Sequence, residues 1–147
     1  MNVVVRDARV EEAAALAPLL ATLGYPTEPA VMRERFRALL ETDATARILV
    51  GLVDGQVLGM ATLHVTPVLH RPTPVGRVTA LAVLPAAQGT GVGRALLEAS
   101  ERHFSVLGLE RVEITSGLSH RPAYDFYRHL GYEDHGLRFA KAIAHVD

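Results

Sequence analysis

Residues 81–94 run Leu81-Ala82-Val83-Leu84-Pro85-Ala86-Ala87-Gln88-Gly89-Thr90-Gly91-Val92-Gly93-Arg94. An apolar strand pattern ends, three glycines alternate, and a helical pattern begins at once. Glycine lets the backbone turn through φ > 0 and leaves no Cβ between N–H groups and a ligand. The first N–H groups of a helix have no partner within it, and the macrodipole adds about half a positive charge there. Such a turn is an anion site suited to a phosphate or pyrophosphate. It also constrains topology, because a strand–helix–strand unit closes as a parallel crossover.

The rest of the chain supplies elements to either side. Val3-Val4-Val5 before Arg6-Asp7 predicts a short strand. Ala13, Leu16, Ala17, Leu20 and Leu23 follow helical spacing between Val10 and Leu23, with Pro18 expected to kink or split the helix. Thr27-Glu28-Pro29 opens a second helix with Met32, Phe36, Leu39 and Leu40 on one face. Ile48–Val53 and Val57–Leu63 form a hairpin around Asp54-Gly55. A proline-rich loop, 67–76, leads to a strand over Arg77–Val83. Gly91–Leu107 predicts a helix facing the core with Val92, Ala95, Leu96, Ala99 and Phe104, capped by Gly108. A strand at Arg111–Ser116, a helix at Arg121–Leu130 stopped by Gly131, and a closing strand at Leu137–Ile143 follow. The expectation is one α/β domain over residues 1–147, with a mixed sheet parallel around the 77–116 crossover.

Two common phosphate motifs fail on the glycine turn. A P-loop needs Gly-Lys-Ser/Thr, whereas Arg94 and Ala95 follow Gly93; a dinucleotide fingerprint from Gly89 needs a small residue where Arg94 stands. What fits is Gln-x-x-Gly-x-Gly, as Gln88-Gly89-Thr90-Gly91-Val92-Gly93. Downstream, Ala123-Tyr124-Asp125-Phe126-Tyr127-Arg128-His129-Leu130-Gly131-Tyr132 has the form Ala-x-x-x-Tyr-x-x-x-Gly-aromatic. With these two segments in this order, the chain resembles the GNAT N-acetyltransferase superfamily over essentially its whole length. The resemblance implies a mixed central sheet of about six to seven strands flanked by about four helices. It implies acetyl-CoA as cosubstrate, with the pyrophosphate on the turn Gln88, Gly89, Thr90, Gly91, Val92 and Gly93. Backbone groups of Leu81, Ala82 and Val83 would pair with pantetheine, and Tyr127 would be the general acid that protonates the CoA sulfur. His120 stands where many relatives have an asparagine that contacts CoA. Arg94, just inside the helix, is placed to reach a CoA phosphate.

Direct transfer from a thioester to an amine needs no covalent enzyme intermediate. It needs a neutral amine, although a free one has a pKa near ~10, and a donor for the oxygen that gains charge. A phenol stays protonated at neutral pH and is a usable donor; Tyr124, one turn before Tyr127, is the alternative. The family often carries a base carboxylate on its fourth strand, but Arg77–Val83 has none. His64, His70, Glu113 or a water chain are left as bases. Tyr25, Phe36, His64 and His70 are expected near the acceptor.

Composition narrows the classes further. Without cysteine there is no disulfide, thiolate nucleophile or zinc ribbon. The seven histidines show no metal-site spacing, so no metal is expected. Fifteen Lys+Arg against sixteen Asp+Glu leave a net charge of −1, so no nucleic-acid partner is expected. The longest apolar run, Ile48–Val53, is far short of a ~20-residue span, and a cytoplasmic protein acting away from membranes is expected. The acceptor is a small-molecule or a protein or peptide amine, and a homodimer through edge strands is a further family analogy. Two other readings stay open: a non-catalytic acyl-CoA-binding sensor or scaffold, and a nucleotide-binding domain unrelated to CoA.

Overall fold

A computed structural model describes residues 2–115, 121–136 and 138–145. The chain divides into two compact units, Met1–Gly117 and Leu118–Asp147.

The first unit is built on five strands in the order of the chain: β1 (Val4–Asp7), β2 (Arg47–Val53), β3 (Gln56–Thr66), β4 (Val75–Val83) and β5 (Val112–Ile114). The first three pairings are antiparallel and β4–β5 is parallel, as the crossover demanded. The β2–β3 turn at Asp54-Gly55 has φ of +51° and +77°, the left-handed pair that matches strand twist.

Helices α1 (Ala13–Thr22) and α2 (Pro29–Thr42) cover one sheet face. Ala13, Leu16 and Leu19 of α1 and Met32 and Phe36 of α2 pack with Ile48, Val50, Leu52, Met60 and Ala82. Each of these side chains other than the two alanines contributes about 1.5–3 kcal/mol on burial. Pro18 does not split α1. The bond it cannot donate would go to Ala14, which lies on the exposed face where water can serve its carbonyl. Leu40, expected on the core face of α2, is exposed.

Helix α3 (Val92–Val106) covers the other face with Val92, Leu96, Leu97, Ser100 and Phe104; Ala95 and Ala99 are only half-buried. Glycines decide how close it comes. A Cβ on Gly59 would lie 2.7 Å from Val92 Cγ1 and 3.1 Å from the Ala82 carbonyl oxygen, and one on Gly51 would lie 3.0 Å from Val92 Cγ1. At Gly76 it would lie 2.5 Å from the Phe104 ring.

The second unit holds α4 (Arg121–His129), after which Gly131 turns the chain at φ +93°. The closing strand expected over Leu137–Ile143 is absent among the described residues. Its alternation is present, but Phe139 and Ile143 are 89% and 87% exposed, so the apolar positions are not buried as a strand facing a core would bury them. Five strands are therefore described, not six to seven.

Two measurements test this packing. Gly59→Ala should cost about 1–3 kcal/mol through overpacking of Val92 against the sheet, read by urea unfolding. The second concerns Glu12, which accepts two hydrogen bonds from Arg6, at 2.8 and 2.7 Å, and one from the Arg9 N–H. Chiefly through Arg6, its carboxyl is lowered from 4.5 to about 2. A depressed carboxylate stabilises the fold above its ordinary pKa and loses that contribution as pH falls through the folded value. Glu12→Gln should therefore be less stable than wild type at neutral pH, with the gap closing between about 4.5 and about 2.

Candidate functional site

The glycine turn stands where β4 hands over to α3. A single 3-10 turn, Pro85–Ala87, follows β4, and Gln88 caps it in extended conformation. Gly89 and Gly91 then take φ of +81° and +92°, and Gly91 is the N-cap of α3. The Thr90 hydroxyl donates back to the Ala87 carbonyl and holds the turn from inside. A Cβ on Gly89 or Gly91 would meet nothing within 4 Å, so their glycines answer to backbone conformation and leave open space in front. The first-turn N–H groups of Val92, Gly93 and Arg94 have no intrahelical acceptor by position. Val92 itself is buried and anchors the helix start on Gly51 and Gly59. Arg94 is exposed and donates to Glu98 at 2.9 Å, one turn along α3.

Beside the turn, β4 has an edge that is free among the described residues. Its parallel pairing with β5 covers Gly76, Arg77 and Val78, and the Thr115 N–H donates to the Val78 carbonyl. Among the described residues nothing pairs with that edge from Thr79 to Val83. The Leu84 N–H donates to the Leu58 carbonyl of β3. By strand alternation the Ala82 backbone groups also face β3, opposite Met60, while those of Leu81 and Val83 face the free edge. Of the three residues expected to meet pantetheine, two thus present their N–H and C=O outward. A register shift between Thr62 and Leu63 leaves Thr79 as the extra residue on β4, so the strand bends where its edge opens.

A polar row crosses the α1/α2 face near this edge. His64 Nδ1 lies 2.8 Å from Asp43 Oδ2, and Asp43 Oδ1 accepts from the Thr45 N–H at 2.9 Å and its hydroxyl at 2.7 Å. These bonds, that from His64 first, lower the Asp43 carboxyl to about 2. The hydroxyls of Thr62 and Thr79 are 2.8 Å apart. Glu113 accepts from Arg111 at 2.8 Å and from Arg77 at 3.3 Å, and its pKa is lowered, mostly by Arg111. The sequence reading missed Asp43, Thr45, Thr62 and Thr79. One signal was available: Thr62, His64 and Thr66 alternate with Ala61, Leu63 and Val65, a polar stripe on a strand otherwise apolar on both faces.

The other expected positions scatter. His70 and Tyr25 are exposed, and Phe36 is buried in the core and lines no wall. His120 lies outside the described residues. In the second unit the Tyr127 hydroxyl is buried without a hydrogen-bond partner, and burial pushes it up to about 12. Tyr132 packs edge-on to it at 6.3 Å. Tyr124 is exposed, donates to Asp134 at 3.3 Å and carries Arg128 over its ring. Among the described residues no three His, Asp or Glu gather to hold a metal.

Comparison with known proteins settles what this frame is. The model of the Acetyltransferase (GNAT) family matches residues 13–132, from the start of α1 through both motifs. The chain belongs to the GNAT acetyltransferase family. Its activity class is acyl-CoA-dependent N-acyl transfer. It is 33% identical over 111 residues to the aminoalkylphosphonate N-acetyltransferase of Salmonella typhimurium, covering 76% of this chain and 71% of that one. It is 31% identical over 111 residues to the mycothiol acetyltransferase of Pseudarthrobacter chlorophenolicus, covering 74% of this chain but only 34% of that protein. The fold is shared with a Trypanosoma brucei acetyltransferase at a TM-score of 0.79 and 20% identity, over 97% of this chain and 100% of that one.

The turn geometry makes one prediction before any ligand is added. Gly91→Ala should cost about 1–2 kcal/mol, because an L side chain at φ +92° is strained. The melting temperature should fall by roughly 3–8 °C with circular dichroism unchanged.

Proposed function

We propose that this GNAT enzyme acetylates the primary amine of a small molecule, taking the acetyl group from acetyl-CoA in a ternary complex. The observation that carries the reading is the pairing of two features in the first unit: a helix start with left-handed glycines and open space, and the free β4 edge beside it. A pyrophosphate suits the first, through the N–H groups of Gly89, Gly91, Val92 and Gly93 with Gln88, Thr90 and Arg94 around them. A pantetheine arm suits the second, with the outward groups of Leu81 and Val83 pairing as a strand would and Ala82 bonded back to β3. Acetyl-CoA supplies the thioester.

The chain's own groups do the rest. An outward N–H on the β4 edge stabilises the charge that develops on the carbonyl oxygen. Tyr127 donates its proton to the departing sulfur. Its orphaned buried hydroxyl supports this role, since an unmet buried donor costs about 1–3 kcal/mol and a pKa of about 12 keeps it protonated at neutral pH. A small amine is supported by the two relatives, whose names specify an aminoalkylphosphonate and mycothiol. We also propose that His120 takes a CoA contact.

Thermal melts with acetyl-CoA, CoA, ATP and NAD test the ligand. Acetyl-CoA or CoA at 100 times its Kd should stabilise by ~2.7 kcal/mol, roughly 5–10 °C, with no shift from ATP or NAD. A shift with ATP or NAD instead would overturn the reading. Tyr127→Phe should lower kcat by about 10²-fold or more with acetyl-CoA affinity within a factor of about three of wild type, measured on a panel of small primary amines that includes an aminoalkylphosphonate. Unchanged kcat would remove Tyr127 from the acid role.

A further inference from the structure

The reaction proposed above leaves a proton without a destination. An amine with a pKa near ~10 arrives as an ammonium and must lose one proton before its lone pair can attack. β4 offers no carboxylate. Glu113 is a poor acceptor, because Arg111 and Arg77 both donate to it and hold it ionised. His70 sits exposed in the loop after β3, with no residue fixing its ring among the described contacts.

His64 differs from both. It shares strand parity with Met60 and Thr62, so its side chain leaves the sheet on the α1/α2 face, directly opposite Arg77 in register. Asp43, at the end of α2, receives Nδ1 at 2.8 Å and is itself pinned by both donors of Thr45. A carboxylate held ionised can only accept, so Nδ1 carries the hydrogen and, in the neutral ring, the lone pair falls on Nε2. The ring is 21% exposed, enough to exchange a proton with solvent. The Thr62–Thr79 hydroxyl pair lies next along the same face, two residues nearer the level of the open β4 edge.

We propose that His64 is the catalytic base of the acetyl transfer and that Asp43 is its positioning residue. Nε2 takes a proton from the substrate ammonium, through the threonine hydroxyls or a water. The freed lone pair forms the C–N bond as the C–S bond breaks. The proton that nitrogen sheds on becoming an amide replaces the one given to sulfur, and His64 releases its own to water. One ammonium and one thioester thus become one amide, one thiol and one free proton. This rests on the acetyl-transfer reading.

The decisive variant is His64→Gln, which can still donate to Asp43 but cannot act as a base. It should lose about 10²-fold in kcat with the panel amine that wild type acetylates fastest, while acetyl-CoA raises its melting temperature as in wild type. His64→Ala should be comparably slow and regain activity with added imidazole. Asp43→Asn should lower kcat about tenfold or more and leave the acetyl-CoA shift intact. If His64→Gln keeps kcat within about threefold of wild type, or if imidazole restores nothing to a folded His64→Ala, the pair is only a tether between α2 and β3. Wild type that binds acetyl-CoA but acetylates no panel amine would sink the underlying reading instead, and this one with it.

Discussion

The close seating of α3 on the sheet governs most of what the fold can do. Val92 and Leu96 come down onto Gly51 and Gly59, where a side chain would be tight at Gly51 and would collide at Gly59, and Phe104 comes down onto Gly76, where one would collide as well. Three missing side chains draw the helix in along its full length. Its N-terminus is thereby held at the carboxyl end of β4, where the free first-turn N–H groups and the helix dipole have a fixed direction. Were the sheet face built of valine or leucine there, the same turn could exist, but the helix would stand further off.

The two faces of the sheet then divide the work. The α3 side is packed and apolar, with glycines where contact is closest. The α1/α2 side is apolar from Ile48 to Met60 but changes character toward the far end of β3 and β4, where Thr62, Thr79, His64, Arg77 and Glu113 replace it. The bulge at Thr79 and the loss of β5 pairing beyond Val78 fall between these regions. An open edge is normally a liability in a sheet. Here it adjoins the glycine turn, and membership in the GNAT family gives it an occupant to expect.

The polar row also shows why a catalogue of reactive residues is not a site. Glu113 looked as eligible a base as His64, yet two arginines occupy its oxygens. Asp43 had no motif around it and became part of the best-placed pair because α2 ends beside β3. Only neighbours decide whether a carboxylate is free to accept a proton or is already spent on a guanidinium.

Much of this was legible in the chain itself. The glycine turn, the Asp54-Gly55 hairpin, the parallel crossover and the family followed from residue order, because φ > 0, helix capping and strand period act over a few neighbours. The split at Pro18 and the closing strand over Leu137–Ile143 were misjudged for one reason. Whether water can serve a lost hydrogen bond, and whether an alternating segment finds a ladder and a layer, depends on what folds against it. Local backbone conformation is encoded by adjacent residues, so the sequence determined the left-handed glycine turn at the start of α3. The distance between His64 and Asp43, the outward aim of Leu81 and Val83, and the saturation of Glu113 join residues far apart along the chain, and only tertiary packing could decide them.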